Sequence, residues 1–287
     1  MSATPPLIQA PDQLQPTYLG GMISPLPVGP RAGLPKSLTP PASALLAILA
    51  ATTLLFAAPN SNRANRGAIP AEVARHRDFD DAKRILPQIF AGLEQEIYCG
   101  CNYSGKLVDW ESCGFIPRKN AKRASRIEWE HVVPAWVIGH QRQCWQDGGR
   151  KNCTANDSLF NLAEGDLNNL VPAVGEINGD RSNFAYSVWT RDPVPQYGTC
   201  RSIVDFKAKK FQPREEVRGR LARITLHIHR RYDLQMSKQD RQLMCAWARS
   251  SPVDEWERER EKRIVAAQGE GNPLVASPDL IADYCNR

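Results

Sequence analysis

Apolar and polar positions change their spacing several times along this chain. Residues 78–94, DFDDAKRILPQIFAGLE, set acidic residues ahead of an apolar repeat of helical period and predict a helix interrupted near Pro87. The C-terminal third carries three more helical stretches. PREEVRGRLARITLHIHRRY opens on Pro213 and two glutamates, SKQDRQLMCAWARS on Ser237 as N-cap with Asp240 three residues on, and PVDEWEREREKRIVAAQ runs from Pro252 to Gln268 and stops at Gly269. By contrast, RIEWEHVVPAW, residues 126–136, alternates like a strand. Pro134 cannot donate to a ladder, so this strand is expected to end or bulge at Glu130 and His131. Helices thus supply most of the scaffold, and the chain is predicted to be α+β, mainly helical with a small antiparallel sheet.

An apolar, uncharged run at residues 42–59, ASALLAILAATTLLFAAP, follows Arg31 and Lys36 and reads as the hydrophobic region of a secretory signal. The 41 residues upstream are long for such a signal, which translation from Met22 would shorten; cleavage is expected between Ala57 and Ser61, with retention of the run as an anchor as the alternative. Residues 1–60 then form a Pro-rich leader and signal, and residues 61–287 a single domain without repeats or a long linker. Eight cysteines, Cys99, Cys101, Cys113, Cys144, Cys153, Cys200, Cys245 and Cys285, support export. None forms C-x-x-C, so wide, even-numbered spacing predicts four disulfides in an oxidising compartment rather than a zinc site. Cys144 and Cys153 are expected to close the loop between them, and Cys99 to Cys113 to form a cystine-tied loop or hairpin.

With 42% hydrophobic residues the chain can bury a sizeable core, and its net charge of +6 is compatible with a polyanionic partner. The chemistry concentrates between Ile127 and Trp189. His131, within EWEHVVP, is a neutral base with an ordinary pKa near ~6.5. Glu130 and Asn178 offer hard oxygens of the kind Mg2+ or Ca2+ takes, and Arg150, in GGRKN, a permanently charged fork for phosphate. Each has a plainer reading: a solvated strand carboxylate, a satisfied histidine, an Asn-Gly turn at Asn178–Gly179, and a solvated loop cation.

The segments EWEHVVPAW, QCWQDGGRKNC and FNLAEGDLNNLVPAVGEINGDRSNF, in this order, resemble the bacterial endonuclease I family over roughly residues 78–275. The resemblance implies a disulfide-stabilised ββα-metal site in which a hairpin strand delivers the histidine and a following helix the metal-binding asparagine. It assigns Glu130 and Asn178 as metal ligands, His131 as general base and Arg150 as phosphate contact. Glu164 matches an acidic family position and is expected to orient His131 or a water on the metal. Mg2+ is the implied cofactor, with Ca2+ or Mn2+ as alternatives. The implied activity is sequence-nonspecific endonucleolytic hydrolysis of double- and single-stranded DNA and of RNA, leaving 5′-phosphate ends, by a periplasmic or secreted monomer without stable membrane association. The alternatives are a secreted nucleic-acid-binding protein without catalysis and a disulfide-rich envelope protein.

Other residues are assigned elsewhere. His227 and His229 lie two apart on a helix and face different sides, which excludes an i, i+4 zinc pair. Trp129, Trp136 and Trp189 are expected in the core rather than as base-stacking platforms, and Arg181 and Asn183, which could touch backbone phosphate, on a solvated helix surface. Nothing in the block resembles a recognition helix, a zinc finger or an RNA-stacking platform.

Overall fold

A computed structural model describes residues 78–189 and 194–286. The leader, the apolar run and the domain boundary at residue 61 lie outside the described residues. Asp78 accepts from the Asp81 amide and starts helix α1 (Phe79–Ile89). Pro87 falls in the last turn and does not interrupt the helix, which runs on to Ile89; the chain leaves helical geometry at Phe90 and turns at Gly92, φ +77°, so α1 stops short of the expected residue 94. A short antiparallel hairpin follows, β1 (Tyr103–Ser104) with β2 (Leu107–Val108), inside the ring closed by the Cys101–Cys113 disulfide. Cys99–Cys200 ties the same region to the second half of the chain. The buried Glu96 carboxylate gathers the turn by accepting from the amides of Tyr98, Cys99 and Cys101.

Helix α2 (Ala121–Ala124) leads into strand β3 (Ile127–His131), and helices α3 (Ala135–Gly139), α4 (Gln143–Asn156) and α5 (Ser158–Glu164) separate it from its partner β4 (Leu170–Val174). The two strands pair antiparallel, with Ile127 opposite Val174 and His131 opposite Leu170. They are therefore not a simple hairpin, because three helices form the connection. Helix α6 (Gly175–Arg181) starts immediately after β4. The expected small antiparallel sheet is present in β1–β2 and β3–β4, and the last sheet has β7 (Lys210–Gln212) at its centre, antiparallel to β6 (Ile203–Asp205) and parallel to β5 (Ala185–Tyr186).

The C-terminal helices are α7 (Arg218–Arg231), α8 (Lys238–Ser250), α9 (Glu255–Gln268), α10 (Pro273–Ala276) and α11 (Ile281–Cys285). Ser237 caps α8 as expected, and Gly269, at φ +81°, closes α9 in a left-handed conformation that suits glycine. Helix α7 begins at Arg218, after a 3-10 turn at Glu215–Val217, later than the Pro213 start predicted. Beneath the site, all of β4 is buried. Arg260 of α9 donates to the carbonyls of Leu167, Asn168 and Leu170 at 2.8, 2.9 and 3.1 Å and so fixes the turn that enters this strand. Four disulfides use all eight cysteines; the remaining two are Cys144–Cys153, as expected from spacing, and Cys245–Cys285. Among the described residues no helix is long and apolar enough to cross a membrane.

Candidate active site

Glu130 and His131 are the final two residues of β3, which ends there without a bulge. Beyond the ladder Asn169 takes over: its carbonyl accepts from Val132 N at 3.0 Å, and its side chain exchanges bonds with the Val133 backbone at 2.8 and 2.9 Å. Pro134 then caps α3, so strand becomes helix within three residues. The arginine expected on a helix surface holds this end in place. Arg181 is 1% exposed, and its NH1 donates to Glu130 Oε1 at 2.7 Å and to the His131 carbonyl at 2.9 Å, while NH2 reaches the Val132 carbonyl at 2.7 Å. A guanidinium fork fits such convergent acceptors, and burial removes it from contact with phosphate. The Tyr98 hydroxyl also donates to Glu130 Oε1, at 2.7 Å, and lies 3.0 Å from the Tyr186 hydroxyl. All these bonds on Glu130 fall on Oε1. Burial raises its carboxyl above the ordinary range, and Arg181 and Tyr98 work against that rise.

His131 is buried against the Phe79 ring, centroids 4.5 Å apart, and its Nε2 lies 2.9 Å from the Glu164 carbonyl. A carbonyl only accepts, so Nε2 carries the proton and Nδ1 keeps its lone pair. Burial, with added repulsion from Arg150 and Arg181, pushes the imidazole pKa down to about 3, which keeps the ring neutral. Glu164 thus meets His131 through its main chain, whereas the expectation was a role for its carboxylate. That carboxylate, itself buried, accepts from Arg150 Nε at 2.5 Å. Arg150 follows a kink at Gly148–Gly149 within α4, Gly149 having φ +67°, and the Cys144–Cys153 disulfide brackets the kink. Its half-exposed guanidinium passes over Phe79 at 5.6 Å.

Asn178 lies within α6, so the Asn-Gly turn reading fails; a helix absorbs the pair because Gly175–Arg181 continues straight out of β4. Its Nδ2 donates to Glu128 Oε2 at 3.0 Å, which leaves Oδ1 as the free oxygen of the amide. Glu128, two residues before Glu130 on the same strand face, also grips Arg123 at 2.9 and 2.6 Å. Glu130, His131, Arg150 and Asn178 together line a cleft made of two adjoining cavities, of about 410 and 360 Å3. Lys83, Lys106 and Arg126 rim the larger one. Among the described residues no cluster of three or more His, Cys, Asp or Glu could hold a metal. One carboxylate and one amide oxygen in a shared cleft nevertheless match a hard, mostly water-coordinated cation such as Mg2+.

Sequence reasoning missed Phe79, Tyr98, Tyr186 and Glu128. Only Glu128 carried a signal, its period-2 spacing from Glu130; the others come from distant segments. Trp129 stacks on Phe90 and Trp189 is half-buried, but Trp136 is 44% exposed, contrary to its core assignment, because α3 turns it outward beside the cleft. Asn183 is exposed, as expected. His227 is buried and His229 bonds the Leu234 carbonyl, both on α7.

Residues 93–279 match the family described as Endonuclease I. The chain belongs to the endonuclease I family. It is 51% identical to an extracellular deoxyribonuclease of Aeromonas hydrophila over 72% of this chain and 91% of that protein, and 49% identical to a periplasmic deoxyribonuclease of the same organism over 72% and 88%. An endonuclease-1 of Buchnera aphidicola is 45% identical over 69% of this chain and 80% of its own length. The chain is therefore a nuclease, a hydrolase of phosphodiester bonds. The expected periplasmic or secreted location agrees with the names of the Aeromonas relatives. The endonuclease I match contains Glu130, His131, Arg150, Glu164 and Asn178, whereas Phe79 lies before it.

Proposed function

We propose that this endonuclease I protein is a sequence-nonspecific, divalent-metal-dependent enzyme that cleaves double- and single-stranded DNA, and also RNA, leaving 5′-phosphate ends. The observation that carries the reading is the His131 ring, held neutral by burial and fixed by the Glu164 carbonyl, in one cleft with Glu130, Asn178 and Arg150. Deoxyribonuclease relatives support DNA as substrate.

His131 Nδ1 accepts a proton from the attacking water, and the Glu164 carbonyl keeps the ring turned toward it. Oxygen adds to phosphorus, the bond to the 3′ oxygen breaks, that oxygen takes a proton from solvent, and the products are a 5′-phosphate and a 3′-hydroxyl, after which His131 returns its proton to water. Arg150 donates to a phosphate oxygen, and the buried Glu164 carboxylate limits its swing. Glu130, steadied by Arg181 and Tyr98, and Asn178, steadied by Glu128, are the residues to hold the cation, with Mg2+ the best fit and Ca2+ or Mn2+ alternatives. When bound, that cation supplies positive charge for the phosphate and the leaving oxygen. Contacts of this kind read phosphate and not base edges, so many sequences are cut. The two-strand-and-helix arrangement of β3, β4 and α6 supports the ββα-metal reading.

We assign residues 1–60 to a leader and signal and residues 61–287 to the nuclease domain, working as a periplasmic or secreted monomer without a stable membrane anchor. The experiment is cleavage of supercoiled plasmid and of RNA by the oxidised protein with Mg2+, Ca2+, Mn2+ or chelator. Nicking with a divalent cation and none with chelator supports the reading. Binding without cleavage under every metal condition overturns it in favour of a nucleic-acid-binding protein.

A further inference from the structure

A third cavity, of about 330 Å3, opens beside the cleft. It shares Pro134, Trp136, Arg181 and Asn183 with the cavity that holds Glu130, His131 and Arg150, so Trp136 borders both. The walls are mainly apolar, from Val133, Val137, Phe184 and Met236, with Gln235 and Asp240 as polar edges. Trp136 stacks on His140, ring centroids 3.9 Å apart and planes 7° from parallel, and His140 Nδ1 lies 2.8 Å from the Trp136 carbonyl. The ring pair is therefore held rigid while the indole remains 44% exposed.

Trp136 is one of several large apolar side chains exposed on the surface, and what sets it apart is its place beside the cleft that holds Arg150. A mainly apolar pocket with a few polar edges can take a heteroaromatic ring, and an aromatic wall accepts any base because every base has a π face. Resting on the proposed nuclease reading, we infer that this cavity takes an unstacked nucleobase from a nucleotide flanking the phosphate at Arg150, with Trp136 as its stacking wall. A paired base in a duplex hides both faces, so the pocket is served by single strands or by a locally opened end. It thereby adds affinity without adding sequence selectivity.

The test measures binding of short single-stranded DNA in chelator, where cleavage does not interfere. An abasic nucleotide is walked along the strand against the unaltered protein, Trp136→Ala and Trp136→Phe. Stacking of one base predicts that Trp136→Ala weakens binding roughly 5- to 150-fold and that Trp136→Phe restores most of it. One abasic position should cause a matching loss in the unaltered protein and almost none in Trp136→Ala. If no abasic position matters, or if both proteins lose affinity equally at each, the inference is overturned. Because this assay involves no cleavage, absence of plasmid nicking with every metal overturns the nuclease reading separately.

Discussion

Replacing Arg181 by methionine removes a charge but keeps much of the length of a side chain that is 2% exposed. The change breaks the 2.7 Å pair with Glu130, whose side chain is 5% exposed, and strips donors from the carbonyls of His131 and Val132. Removing one partner of a buried ion pair typically costs about 3–5 kcal/mol, since the other charge stays buried and unpaired. At about 2–4 °C per kcal/mol for a domain of this size, Tm should fall by roughly 6–20 °C. Urea unfolding of the oxidised protein, followed by circular dichroism, measures the loss directly. Adding Glu130→Gln to Arg181→Met should restore part of it, because the uncompensated carboxylate disappears while the His131 carbonyl stays without the arginine donor and that of Val132 keeps only the 3.4 Å bond from the Tyr186 hydroxyl. A loss under about 1 kcal/mol, or further destabilisation by the second substitution, would refute the claim that Arg181 anchors the strand end through Glu130.

Paired Cys144→Ser and Cys153→Ser changes open a loop of sequence separation 9. Chain entropy alone gives about 2.6 kcal/mol of lost stability. Cleavage should fall too, since that loop presents Arg150; calorimetry and turnover both unchanged would contradict this. For His227, burial pushes the imidazole down to about 4 from its ordinary 6.5, so on acidification the unfolded chain takes up the proton first. Stability should therefore drop as pH falls from about 6.5 to 4, by an amount on the order of 3 kcal/mol that His227→Gln lacks. Parallel unfolding profiles for the two proteins across that window would count against it.

Local signals carried far in some places and stopped abruptly in others. The caps at Ser237 and Gly269 and the alternation around Trp129 are set by neighbours in the chain, and the structure has them where the pattern put them. The disulfide Cys144–Cys153 was legible because nine residues force proximity, while Cys99–Cys200, separated by 101, depends on the whole fold. Glu130, His131, Arg150 and Asn178 are brought to one cleft. Glu164 was singled out as a residue, but its contact with His131 runs through a carbonyl, which every residue possesses and no sequence distinguishes. Arg181 sits among polar neighbours that read as helix surface. The arrival of the end of β3 and of the Tyr186 ring from elsewhere in the chain buries it.

The central claim, that His131 activates the nucleophile while Glu130 holds the cation, is tested most directly by single-turnover cleavage of one DNA duplex alongside calorimetric Mg2+ titration. The variants are His131→Ala and Glu130→Gln, the latter keeping an acceptor for Tyr98 and Arg181. His131→Ala should lose roughly 100- to 10,000-fold in cleavage rate and bind Mg2+ as the unaltered protein does. Glu130→Gln should lose Mg2+ affinity and regain some cleavage as Mg2+ is raised. Undiminished cleavage by His131→Ala, or loss of Mg2+ binding in that variant with retention in Glu130→Gln, would contradict the account.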